Sequence, residues 1–265
     1  MTSGDDDLTS TCDAERRFIH SNREFPMSDL VDFAIKAHGG LDRFSKFHFL
    51  TARLKQGGLL WALKGQGETL TDAHVKIDLH KEWATHWPFA PSTDHSVFTP
   101  DKVLIESDAG AVVEELADPR PSFAGFEMET PWSRPQLGYF AGYAMWTYLT
   151  APFILARPGV VCTEVDPWSE NGETWRRLKG EFPSSIATHS RVQHYYFDTD
   201  GLLRRHDYEV EIQGNNSAAH YLTGPVEVEG ITLYSEMRIV PNTPSNVPMS
   251  EPELVTIGLS EYKFD

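Results

Sequence analysis

Residues 195–212, YYFDTDGLLRRHDYEVEI, gather two arginines, a histidine and three tyrosines on one short stretch. These side chains suit proton transfer and charge stabilisation. Histidine titrates near neutral pH, arginine holds an oxyanion or a carboxylate, and tyrosine donates a hydrogen bond. The DTDG segment marks the turn of a β-hairpin. Side chains alternate across a strand, so Leu202, Arg204, His206, Tyr208, Val210 and Ile212 share one face. Leu203, Arg205, Asp207, Glu209 and Glu211 share the other. The first face ends apolar and the second ends acidic, so the first is expected to point inward. With a four-residue turn at 198–201, Phe197 pairs with Leu202. Tyr195, Gln193 and Arg191 then fall opposite Arg204, His206 and Tyr208, with His189 further along the same face.

This spacing predicts cofactor-independent acid/base chemistry of the isomerase, cyclase or lyase kind. His206 would move the proton, while Arg204 and Tyr208 stabilise charge. His189, Arg191, Gln193, Tyr195 and His220 would hold the ligand. His220 joins the inward face if Ile212 pairs with Ala218, and meets Glu209 outside if that pairing slips by one residue. Both registers stay open. His206 and Asp207 are not a catalytic pair by adjacency, because alternation sends them to opposite faces. The competing reading is a hydrogen-bonded core network without chemistry, since buried polar groups must be paired in either case.

Other chemistries find less support. His189, His206 and His220 are candidate metal ligands, but neither H-E-x-x-H nor C-x-x-C spacing is present, and no metal is expected. Phosphate-loop and dinucleotide spacings are missing, as is a nucleophile elbow. Cys162 follows an apolar run and is expected to pack rather than react.

The elements that must position these residues are mostly strands. Segments with partial period-2 alternation are FHFLTARLKQGG, LLWALKGQ, ETLTDAHVKIDLH and KEWATHWPF, followed by two strands in 92–116. After residue 175 the pattern resumes as a meander to the last residue. Ser28 is a candidate N-cap for a helix that places Leu30, Phe33, Ala34 and Ala37 on one face and stops at Gly39–Gly40. LDRFSKF follows as a short helical turn. The pattern breaks at 135–149, where Ser133 and a proline open a helix with aromatics around its circumference. A helix apolar on nearly all sides must be buried. Its Tyr139, Tyr143 and Trp146 are candidate cavity walls, and Gly138 and Gly142 leave a bare strip for a close neighbour. Trp61, Trp83, His86, Trp87 and His95 are either packed or part of the same wall.

Composition narrows the partners. A net charge of −16 with no basic run disfavours nucleic acid and anionic membranes. Arg176–Arg177 and Arg204–Arg205 are the candidate anion sites. The two cysteines, Cys12 and Cys162, do not suggest a disulfide framework, and a reducing, cytoplasmic setting is the simpler expectation. Residues 1–26 are polar and aperiodic, read as a flexible tail, and carry no apolar leader run. No composition shift divides 27–265, so one domain is expected.

LLWALKG, YFAGYAMWTYLTAPF and YFDTDGLLRRHDY…AAHYL together resemble an uncharacterised bacterial protein family along nearly all of 27–265. The order of elements also resembles the periplasmic outer-membrane lipoprotein-localisation carriers. That resemblance implies a strongly curved antiparallel sheet or unclosed β-barrel plugged by helices, holding an acyl chain. Two functions therefore stand beside each other: acid/base catalysis on a mostly apolar small molecule, and non-catalytic carriage of a hydrophobic ligand. A carrier should have a greasy cavity floor with nothing titrating near neutrality, whereas an enzyme should present a perturbed histidine.

Overall fold

The computed structural model describes residues 29–265; the candidate cap Ser28 and the 1–26 tail lie outside the described residues. The chain lays down two antiparallel meanders that join into one sheet. The first comprises β1 (Phe49–Gly57), β2 (Asp72–Asp78), β3 (Ala84–Trp87), β4 (His95–Thr99), β5 (Lys102–Glu106) and β6 (Val112–Ala117). The second comprises β7 (Val161–Glu170), β8 (Glu173–Glu181), β9 (Val192–Phe197), β10 (Leu203–Val210), β11 (Asn216–Val228), β12 (Ile231–Pro241) and β13 (Val255–Phe264). β13 pairs with β1, which merges them into a 13-stranded sheet with β6 and β7 as its edges. The barrel is left unclosed, as its resemblance to the lipoprotein-localisation carriers implies.

Four helices accompany the sheet among the described residues: α1 (Asp29–Ala37), α2 (Leu41–Phe44), α3 (Leu59–Leu63) and α4 (Arg134–Thr150). The central one, α4, begins as its sequence demands. Ser133 caps it, Gln136 closes the capping box, and Pro135 occupies the first turn. Every residue from Pro135 to Thr150 is buried, as a helix apolar all round requires. It packs on β2 to β6. The bare strip at Gly138 and Gly142 is occupied by the sheet: a Cβ on Gly142 would stand 2.3 Å from Phe98 Cγ, and one on Gly138 2.9 Å from Val103 Cγ1. These glycines seat the helix on β4 and β5 and admit no ligand there.

Several local expectations are corrected. LLWALKGQ forms α3 instead of a strand, and 92–116 holds three strands, β4 to β6, where two were expected. The buried face of α1 is Leu30, Val31, Ala34 and Ile35, while Phe33 is 36% exposed. The apolar spacing i, i+1, i+4, i+5 turns this face away from the one that Phe33 defined.

Candidate functional site

The hairpin that opened the sequence problem is β9–β10, and its register departs from ideal alternation. Phe197 pairs with Leu203, and the ladder then shifts before Arg205, so that His206 faces Tyr195 and Tyr208 faces Gln193. One extra residue in β10, a β-bulge, accounts for the shift. Relative to the expected pairing the ladder has moved by two residues, an even number, so face membership survives for Gln193, Tyr195, His206 and Tyr208. Arg204 sits at the bulge and loses its place. Its side chain is 32% exposed and its Nε pairs with Asp198 Oδ2 at 2.9 Å. Arg204 is therefore not in the inward cluster.

Its neighbour Arg205 is the buried one, at 0% exposure, but on the opposite face. Its Nε and Nη2 donate to the Asp207 carboxylate at 2.7 and 2.8 Å, and Nη1 donates to Glu170 Oε2 at 2.6 Å. Nη2 also reaches Asn246 Oδ1 at 2.7 Å. The guanidinium carbon lies 4.9 Å from the Tyr196 ring centroid, 5.6 Å from Tyr221 and 5.7 Å from Trp168. Tyr196 and Tyr221 donate onward to Asp207 and Glu170, each at 2.6 Å. Such a closed, fully paired set ties β7, β9, β10, β11 and the 242–246 loop together. Three of the four candidate anion-binding arginines are paired internally: Arg176 is bidentate on Glu164, Arg204 is on Asp198, and Arg205 is on Asp207 and Glu170, whereas the buried Nε of Arg177 has no hydrogen-bond partner among the described residues.

The inward face carries the polar cluster. Gln193 Nε2 donates to Thr188 Oγ1 and to the Ser190 carbonyl, which turns Oε1 toward the hairpin. His206 Nε2–H donates to that oxygen at 2.6 Å and the Tyr195 hydroxyl donates at 3.1 Å, with the His206 and Tyr195 rings stacked at 4.2 Å. An amide oxygen only accepts, so the His206 proton sits on Nε2. His189 lies between two hydroxyls, Tyr143 at 3.2 Å and Tyr148 at 2.8 Å, and stacks on Tyr208 at 4.0 Å. The Tyr148 and Tyr208 hydroxyls meet at 2.5 Å. His220 takes neither expected register: it pairs with His206, which still sends it inward. Its ring packs 4.3 Å from Tyr148, and neither ring nitrogen has a hydrogen-bond partner among the described residues.

Electrostatics follow from burial. Desolvation pushes His206 and His189 well below the ordinary imidazole range, and neighbouring histidines add to it. Burial alone lowers His220 to about 3. Burial also raises the Tyr148 hydroxyl well above its usual range and pushes Tyr208 up as well. The cluster is accordingly neutral at pH 7. Among the described residues, no three His, Cys, Asp or Glu side chains converge as metal ligands.

A cavity lies beside this cluster, at the rim where β1, β10 and β12 end and β11 and β13 begin. Its free volume is about 30 Å³, so a ligand of more than a few atoms enters only as the walls part. Its walls are Phe140, Ala141, Ala144, Met145 and Tyr148 of α4, with Val210, Ala218, Ile239, Leu254, Val255 and Ile257 from the sheet side. Leu60 and Trp61 of α3 close it, His189 and Tyr208 bring it the edge of the polar cluster, and Gln56, Gln213 and Asn216 complete the lining.

Of the expected ligand residues, His189, Gln193, Tyr195, His206, Tyr208 and His220 are brought together, with Tyr143 behind His189. Others are not. Arg191 is exposed, lies before β9 begins, and its Nε donates to the Phe182 carbonyl at 3.4 Å. Tyr139 points to Phe98 and Phe123, and the Trp146 indole donates to the Asp78 carbonyl at 2.9 Å. Trp83, His86, Trp87 and His95 lie on or beside β3 and β4, away from the cavity, whereas Trp61 lines it. Tyr148, Gln56 and Gln213 were missed as site residues. The clue for Tyr148 was its helical spacing of four and five residues from Ala144 and Tyr143.

No family model matches this chain, and no curated protein matches its sequence. Solved structures do. A LolA-superfamily protein from Nitrosomonas europaea is similar at a TM-score of 0.50 and 6% identity, over 89% of this chain and 92% of its own. An outer-membrane lipoprotein-sorting protein domain from Vibrio parahaemolyticus, so described provisionally, is similar at a TM-score of 0.53 and 9% identity, over the same 89% and 92%. The fold is that of the lipoprotein-localisation carriers.

Proposed function

We propose that the protein is a non-catalytic carrier of an apolar small molecule, held in the cavity between α4 and the β10–β13 and β1 strands. One observation carries this reading: among the described residues no Asp, Glu, Lys or Arg lines the cavity, whose wall is mostly aliphatic and aromatic. Apolar lining with a few polar groups is what a hydrophobic ligand requires. The likeness in fold to the sorting-protein domain supports the same direction. The acid/base alternative fares less well on physical grounds. It asks for a histidine titrating near neutrality and a cation to stabilise developing charge. His206 is held neutral with its Nε2 proton committed to Gln193, and Arg204 stands outside the cluster.

Native mass spectrometry of protein purified gently from its host tests the reading. The expected spectrum contains a species heavier by one small apolar molecule, released on extraction with organic solvent. A spectrum of bare protein, together with failure to bind any apolar probe, would contradict it.

A further inference from the structure

Resting on the carrier reading, the cavity also says which end group its ligand bears. Gln56 and Gln213 both line it, both are over nine-tenths buried, and the side-chain oxygen of each has no hydrogen-bond partner among the described residues. Buried amide oxygens are rarely left unpaired, because the loss of hydration costs about 1–3 kcal/mol each. They come from different elements: Gln56 from the end of β1, Gln213 from the 3₁₀ turn that links β10 to β11. Both flank the apolar wall at the rim of the sheet.

We infer that the ligand is a neutral apolar molecule ending in a hydrogen-bond-donating group, a hydroxyl above all, which donates to the side-chain oxygen of Gln56 or of Gln213. Among the described residues, the lining contains no cation to receive a carboxylate and no carboxylate to receive an ammonium. A charged end group would enter with its desolvation cost unpaid by any counter-charge. A hydroxyl both donates and accepts, so it serves either end of an amide. A hydrocarbon with no polar end leaves both amide oxygens as they are.

Isothermal titration with 1-decanol, decane, sodium decanoate and decylammonium chloride at pH 8 separates these cases. One alcohol is expected per protein, bound about tenfold tighter than decane, with the two ions weaker than decane. Gln56→Met and Gln213→Met keep the side-chain shape while removing the amide; the one that takes away the acceptor of the hydroxyl is expected to cut the alcohol preference several-fold, and both leave decane affinity unchanged. Decanoate or decylammonium binding as tightly as decanol overturns the inference and leaves the carrier reading standing. So does an alcohol preference that survives both substitutions. If none of the four binds, the carrier reading fails and the inference with it.

Discussion

Arg204 and Arg205 are adjacent and chemically identical, yet the fold assigns them opposite energetic roles. Replacing each by methionine measures that difference. Arg205→Met removes a cation with no exposed surface from three partners, Asp207, Glu170 and Asn246, and from three aromatic faces. Asp207 is then left buried without its counter-ion, and Glu170 keeps only its bonds to Tyr221 and Trp168. Removing one partner of a buried pair costs about 3–5 kcal/mol, against about 0–1 kcal/mol for Arg204, which is partly exposed beside Asp198. Equilibrium urea unfolding followed by tryptophan fluorescence reads both numbers, with the denaturant slope checked for constancy. The pH dependence supplies a second signature. Burial already raises Asp207 above its ordinary range, and Arg205 and Tyr196 hold it down. Without Arg205 the native carboxyl binds its proton more tightly than the unfolded one, so stability falls as pH rises through the raised folded value. Arg205→Met is expected to be more destabilised at pH 8 than at pH 5. A loss below 1 kcal/mol for Arg205→Met, or equal losses for the two variants, would refute the reasoning.

Two further outcomes follow from packing and burial. Gly142→Ala forces a methyl against the buried Phe98 ring and should lower stability by about 1–3 kcal/mol or more, with Gly138→Ala milder because only the Val103 side chain must give; thermal unfolding compares them. His38 is lowered to about 4, His86 and His220 to about 3, and His189 and His206 well below their ordinary value, so these imidazoles stay neutral through the physiological range. Their contribution is present above the unfolded value near 6.5 and is lost as pH falls below it, by up to about 1.4 kcal/mol per pH unit for each. Long-range nitrogen–proton NMR should find them neutral from pH 8 to pH 6, and an imidazolium signal from His206 at pH 6 would contradict this.

The alternation of YYFDTDGLLRRHDYEVEI was enough to find the inward face but not to sort its arginines. A β-bulge inserts one residue without a sequence mark, and here it falls at Arg204. Beyond it the period resumes, which is why His206 and Tyr208 landed correctly. The central helix was legible because its cap, its proline and its all-round apolar surface are local properties. His189 joined the cluster from an irregular segment between β8 and β9, where strand periodicity does not apply. α3 was hidden because LLWAL is too short to show a helical period, and its glycine-led start resembles a strand-flanking turn. Gln56 and Gln213 became conspicuous only once the sheet had curved, since a surface amide and a buried one look alike in sequence.

The central claim is that one apolar molecule occupies the space beside α4. Ala144 lines that space, and Ala144→Phe fills it from the helix side. The most direct measurement is calorimetric titration of 1-decanol into the native protein and into Ala144→Phe, with circular dichroism confirming that both are folded. The account predicts a single saturable site in the native protein and its loss in the folded variant. Binding of equal strength to both, or no binding to the native protein, would contradict it.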